Sequence, residues 1–150
     1  MDLVPIQRGG VTDAKVGDLP AEAAGALEAT AGLYDRVGFA PPWICYIATR
    51  DGEAVGTCGF TSAPARGCVE IAYFTFPRFE GQGVSTAMAA SLVSIAMKAD
   101  QAVLVFARTL PERNASHRIL EKLGFTCIGP VEVPEDGTVL EWHRLPDGVA

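Results

Sequence analysis

The chain has 150 residues, 49% of them hydrophobic and 20% charged, with a formal net charge of −6. That balance packs a globule and excludes a disordered chain, and the length predicts one domain over residues 1–150. The acidic surplus, with no run of basic residues, excludes a nucleic-acid backbone as the partner, because such binding needs clustered Lys and Arg.

The opening Met-Asp-Leu-Val-Pro lacks the charged and apolar regions of a signal peptide. No uninterrupted apolar run approaches the roughly 18 residues of a membrane span. Cys45, Cys58, Cys68 and Cys127 form no Cys-x-x-Cys pair, so no metal site is expected. Three of these four sit in apolar, strand-like segments, where a free cysteine behaves as a small hydrophobe. The expectation is a cytoplasmic monomer or homodimer with no membrane partner.

In chain order, residues 3–6 read as a short edge strand, and Gly9-Gly10 and Gly17-Asp18 as loop. A helix is predicted from Pro20 through Glu28, with proline in its first turn, and a second over residues 30–37 that stops at Gly38. Pro41-Pro42 forces an extended connection. Residues 43–50 and 53–60 read as a hairpin about Asp51-Gly52. A loop covers residues 61–67 and a third strand residues 68–76. The turn Gly81-Gln82-Gly83 then opens a helix over residues 83–99, with Val84, Met88, Leu92, Ile95 and Ala96 on one face. Residues 102–107 are continuously apolar, which predicts a strand buried on both faces and parallel to the third strand, since a helix links the two. Asn114 reads as the N-cap of a helix ending at Leu123, with Gly124 as its stop. Residues 125–133 and 138–145 form a final hairpin. The sum is an α+β fold: a mixed sheet of six or seven strands flanked by about four helices.

The chemistry concentrates in residues 73–86, Tyr-Phe-Thr-Phe-Pro-Arg-Phe-Glu-Gly-Gln-Gly-Val-Ser-Thr. An apolar strand breaks at Pro77, turns through two glycines and opens a helix. Free N–H groups and the positive end of the helix dipole then face whatever sits in the turn, and a phosphate is the natural guest. The plainer alternative is a tight turn with no ligand. A dinucleotide fold wants a third glycine where Thr86 stands and an acidic residue where Arg108 stands. A P-loop wants Gly-Lys-Ser/Thr, which is absent. Neither NAD nor ATP fits, so the pyrophosphate belongs to another carrier.

Residues 77–86 resemble the acetyl-coenzyme A loop of the GNAT N-acetyltransferase superfamily, whose pattern is Gln/Arg-x-x-Gly-x-Gly/Ala. Aligned on Pro77, the pattern falls on Glu80, Gly81, Gly83 and Ser85, with Glu80 replacing Arg or Gln and Ser85 replacing Gly or Ala. Arg78-x-x-Gly81-x-Gly83 also matches, in a register shifted toward the strand. Residues 69–73 and 109–125 are similar to the preceding strand and the second motif of the branch that includes ribosomal-protein alanine/serine N-terminal acetyltransferases. Together the resemblance covers about half of the chain, residues 59–125.

The resemblance implies a GNAT-like fold with acetyl-CoA as cosubstrate. It implies that the strand before the loop splays from its parallel neighbour. Phe74, Thr75 and Phe76 then offer main-chain groups to the pantetheine arm, and the N–H near Thr75 polarises the thioester carbonyl. Gly81, Gln82, Gly83, Val84, Ser85 and Thr86 hold the pyrophosphate, and Asn114 adds a coenzyme contact to its capping role. Many members place a tyrosine acid where this chain has Leu120. Ser116 either substitutes for it or bonds the helix backbone.

The attacking amine must be neutral, so a base is useful. Glu70, in the apolar run Val69-Glu70-Ile71-Ala72, is the candidate; the alternatives are an exposed glutamate or one paired with an arginine. Glu141 is the next carboxylate to consider. Trp43, Phe39 and Tyr73 either line an acceptor pocket or pack the core. Arg108 and Arg113 either meet an acidic acceptor or a coenzyme phosphate, or are ordinary surface residues. His117 and His143 receive no role. The resulting expectation is an acetyl-CoA-dependent N-acetyltransferase. Its acceptor is a primary amine on a small molecule, amino acid or peptide N-terminus, which attacks the thioester directly. The competing readings are a non-catalytic acyl-CoA-binding or sensor module, and a scaffold domain with no coenzyme.

Overall fold

The computed structural model describes residues 1–12 and 19–147; the predicted Gly17-Asp18 loop lies outside them. Among the described residues the strands are β1 (Asp2–Gln7), β2 (Val11–Thr12), β3 (Cys45–Arg50), β4 (Glu53–Phe60), β5 (Cys68–Thr75), β6 (Leu104–Thr109), β7 (Thr126–Val133) and β8 (Gly137–Arg144). The α-helices are α1 (Ala21–Val37), α2 (Val84–Ala99) and α3 (Ala115–Lys122). The strands form one sheet in the order β2-β1-β3-β4-β5-β6-β8-β7, in which only β5 and β6 run parallel.

This is the expected α+β class with two changes of count. The described residues hold eight strands, because residues 11–12 pair with β1 and take the edge position expected for residues 3–6. They hold three α-helices, because nothing between Glu28 and Thr30 breaks the backbone. The two predicted segments are one helix, ended by Gly38 at φ 91° with its N–H donating to Tyr34 O at 2.9 Å. Tyr34 bolts this helix to the sheet: its hydroxyl donates to Ile6 O at 2.8 Å and accepts from Cys45 N at 2.9 Å.

The hairpin turn has Asp51 and Gly52 both at positive φ, the geometry that suits the twist of the flanking strands. Gly56 serves close packing instead: a Cβ there would lie 2.6 Å from Phe74 O and 3.0 Å from Met88 Cε. That contact places α2 on one face of the sheet. Residues opposite each other across a ladder share a face, and successive residues alternate. Gly56 pairs with Thr75, so Val69, Ile71, Tyr73 and Thr75 face α2. Glu70, Ala72 and Phe74 face the other way, with Cys45 and Thr57. Thr30 and Leu33 of α1 line one groove with Cys45, Thr57 and Phe74, which puts α1 on that second face. β5 thus presents different chemistry to its two sides.

Candidate active site

Phe76 leaves β5 into a short 3-10 turn, in which Phe79 N donates to Phe76 O at 2.8 Å and Glu80 N to Pro77 O at 3.3 Å. Gly81 and Gly83 follow at φ 76° and 77°. An added Cβ at either would meet nothing within 4 Å, so these glycines answer a backbone requirement, not crowding by the protein. An L-residue in that left-handed conformation costs about 1–2 kcal/mol. Gly83 caps α2 without a side chain, and the first helical bond is Ala87 N to Gly83 O at 3.1 Å. The N–H groups of Val84, Ser85 and Thr86 therefore have no helical partner and point, with the dipole, at the mouth of a cleft. The cleft has a volume of about 1110 Å³, and Gly81, Gly83, Val84, Ser85 and Thr86 line it. Gln82 does not; its side-chain oxygen accepts from Arg50 at 2.5 Å.

The second wall is the splayed edge of β5. Its ladder with β6 runs only from Cys68 to Glu70. On the β4 side, Thr61 N donates to Glu70 O at 3.1 Å and Phe76 N to Val55 O at 3.0 Å. In an antiparallel pair the bonded positions recur every second residue, so Ala72 and Phe74 also spend their main-chain groups on β4. Tyr73 and Thr75 direct theirs into the gap. This corrects the expectation for Phe74 and Phe76. Neither has a free main-chain donor for a pantetheine arm, and the ring of Phe76 is buried. Thr75 keeps the expected position, and Tyr73 joins it.

The third wall is the start of α3. Asn114 is the cap: its side-chain oxygen accepts from Ser116 N at 2.9 Å, and its amide donates to Glu112 O at 3.0 Å. Asn114 and Ser116 both line the cleft. The Ser116 side chain lies beside the Tyr73 hydroxyl, and both residues line the cleft. Burial raises the Tyr73 pKa against the opposing effect of Ser116, so the phenol stays protonated. Tyr73 thus lines this cleft and also the groove beside Ala72 and Phe74, where the sequence pointed to the acceptor side or the core. Arg113, Arg118 and Lys122 add positive charge to this wall. Leu120, at the usual tyrosine position, is fully buried.

His117 has the partners that the sequence could not reveal. Its Nε2 lies 3.1 Å from both Leu110 O and Thr109 Oγ1. A carbonyl only accepts, so Nε2 carries the hydrogen and Thr109 accepts it, together with one from Trp142 Nε1 at 3.0 Å. This buried network fixes α3 to β6 and β8.

On the opposite face, Glu70 is half-buried and its carboxylate accepts from Thr61 Oγ1 at 3.1 Å. Burial raises its pKa, with Glu141 and Asp136 adding to the rise and Arg108 and Thr61 opposing it. Arg108 Nε donates to Glu141 Oε1 at 3.2 Å, and His143 Nε2 lies 2.7 Å from Glu141 Oε2. For Glu141 burial is outweighed by His143 and Arg108, and its carboxyl is held below the usual range. Of the two carboxylates, Glu70 is the better proton acceptor near neutrality. Five residues of strand separate it from Thr75, about 16 Å between Cα atoms, so the carboxylate makes no direct contact with the Thr75 N–H. Arg108 belongs to this face and not to the coenzyme cleft. Trp43 and Phe39 pack edge-on against Phe60 and Tyr34. Among the described residues, no group of three His, Cys, Asp or Glu could hold a metal, and no helix is long and apolar enough to cross a membrane.

A strand–turn–helix cradle beside a splayed parallel pair has the shape to hold an acyl-coenzyme A, and comparison with known proteins gives the family. The family model described as an acetyltransferase (GNAT) domain matches residues 11–126, and the chain belongs to that family. No curated protein matches it. Among solved structures, yncA of Salmonella typhimurium, in complex with its cofactor acetyl-CoA, is similar with a TM-score of 0.63, at 19% identity over 89% of this chain and 79% of that one. The ribosomal-protein-S5-alanine acetyltransferase of Vibrio fischeri is similar with a TM-score of 0.64, at 15% identity over 85% and 73%. An aminoglycoside acetyltransferase in complex with coenzyme A and kanamycin has a TM-score of 0.59, at 23% identity over 68% and 66%.

Proposed function

We propose that this protein transfers the acetyl group of acetyl-CoA to a primary amine, which attacks the thioester directly. The observation that carries the reading is the meeting, in one cleft, of an uncapped helix N-terminus and an unpaired strand edge. The main chain of Gly83 to Thr86 holds the pyrophosphate, and Arg113, Arg118 and Lys122 supply countercharge. Acetyl-CoA contributes an acyl group on a good leaving thiol. Thr75 N–H sits where negative charge develops on the thioester oxygen, as a fixed donor. The amine approaches from the face that carries Glu70, which accepts its proton through water. Ser116, beside Tyr73 in the cleft, faces the departing sulfur.

Two of the similar proteins are named for acceptors as different as a ribosomal protein and an aminoglycoside. We take the acceptor to be a small molecule, an amino acid or a peptide N-terminus. The test is release of free thiol from acetyl-CoA with a panel of amines, monitored together with the N-acetyl product. Matched formation of both supports transfer. Coenzyme binding with no turnover on any amine leaves the acyl-CoA-binding module as the better reading.

A further inference from the structure

The face of β5 that carries Glu70 also floors a groove of about 200 Å³. Thr30 and Leu33 of α1 form one side, and Cys45, Thr57, Ala72 and Phe74 of three adjacent strands form the floor. Among its described lining residues none carries a charge. Burial pushes the Cys45 thiol up to about 11, so it too stays neutral. Phe74 leaves 52% of its surface exposed here, a large apolar area for a residue at the centre of a sheet.

The groove is continuous with the site of proton transfer. Thr61 lines it and holds the Glu70 carboxylate. Beyond Glu70 the charged groups are Asp136, Glu141 and Arg108, with His143 on Glu141. Glu70 and Glu141 lie about one guanidinium, whose Nε donates to Glu141, and Asp136 adds a third negative charge that acts on Glu70. An approaching ammonium is attracted to this end, and a second carboxylate is repelled from it.

We propose that this groove receives the substituent of the acceptor, which makes the acceptor a primary amine with one compact apolar group and no carboxylate beside the nitrogen. Such a compound is an apolar amine, an amino-acid amide, or a peptide that begins with an apolar residue. The proposal rests on the acetyl-transfer reading and adds the substrate class to it. The groove has room for one side chain of leucine size and offers nothing that pairs with a second charge.

The experiment compares kcat/KM for leucinamide, glycinamide, leucine, putrescine and the peptide Leu-Gly-Gly. Leucinamide is expected to exceed glycinamide, leucine and putrescine by at least about tenfold each, in line with what an apolar pocket discriminates. The ratio of Leu-Gly-Gly to leucinamide tells a peptide acceptor from a small one. Leu33→Glu places a charge on the groove wall and should bring the leucinamide-to-glycinamide ratio within about threefold of unity. CoA should still raise the melting temperature of this variant, which shows that it folds. Ala72→Phe narrows the groove from the exposed side of β5 and should act the same way. Equal rates for leucinamide and glycinamide, a preference for leucine or putrescine, or an unchanged ratio in both variants would overturn the groove assignment alone. Failure of every amine would overturn the acetyl-transfer reading and this proposal with it.

Discussion

The hydroxyls of Thr75 and Ser85 lie 2.5 Å apart, joining the last residue of β5 to the first turn of α2. The residue that offers its N–H to the thioester is thereby tied to the helix whose N-terminus holds the pyrophosphate. One contact sets the distance between the two halves of the coenzyme site.

That bond gives the first prediction. Thr75→Val keeps the shape and removes the hydroxyl. Loss of one part-buried hydrogen bond should cost about 0.5–1.5 kcal/mol of stability. Ser85→Ala should cost a similar amount, and the double variant little more than either single one. A urea-unfolding cycle measures this, and fully additive losses would show that the two hydroxyls act independently.

Glu70 gives the second. Glu70→Gln keeps the volume and removes the proton acceptor, so turnover at neutral pH should fall by about 10²–10⁴-fold with coenzyme affinity little changed. In the wild type the rate should rise with pH through a value above the ordinary glutamate range, because burial raises this group. The variant should lack that limb. Stability moves in the opposite sense. A carboxyl whose folded pKa is raised contributes stability that is fully present below its unfolded value, near 4.3, and lost as pH rises through the folded value. Glu70→Gln should therefore gain stability over the wild type at pH 7 relative to pH 4. Turnover within about threefold of wild type from pH 6 to 9 would remove Glu70 from the mechanism.

The parts of this site that were legible in the sequence are those fixed by neighbours along the chain. Gly81 and Gly83 mark the turn, Asn114 the cap and Asp51-Gly52 the hairpin, because each depends on a few consecutive dihedrals. The alternation of β5 was legible too, and it put Glu70, Ala72 and Phe74 on one face. What lay across the sheet was not. The side on which Phe74 and Phe76 spend their hydrogen bonds depends on register with β4, which no local signal states. His117 looked isolated because its partners come from β6, the loop after it and β8. Tyr73 read as either an acceptor-side or a core aromatic, because its neighbour in the cleft, Ser116, is 43 residues away in sequence and adjacent only once α3 is docked.

Tyr73 and Ser116 give the third prediction. If the Tyr73 hydroxyl orients Ser116 toward the leaving sulfur, Tyr73→Phe and Ser116→Ala should each lower kcat by about tenfold or more with KM for acetyl-CoA nearly constant. The double variant should be no worse than the poorer single one. Equal effects on kcat and KM, or independent losses that multiply, would indicate that each residue only shapes the cleft.

Gly83 offers the most direct test that the turn and the start of α2 bind coenzyme A. At φ 77°, Gly83→Ala adds mainly backbone strain, whereas Gly83→Asp also aims a negative charge into the cleft. Both should lower the melting temperature of the free protein slightly and leave it folded. Titration of CoA against the three proteins, followed by calorimetry and by the melting temperature, should show binding and thermal stabilisation of the wild type. Weaker binding is expected for Gly83→Ala and none for Gly83→Asp. Normal CoA affinity in a folded Gly83→Asp variant, or no binding by the wild type, would contradict the assignment of this cradle.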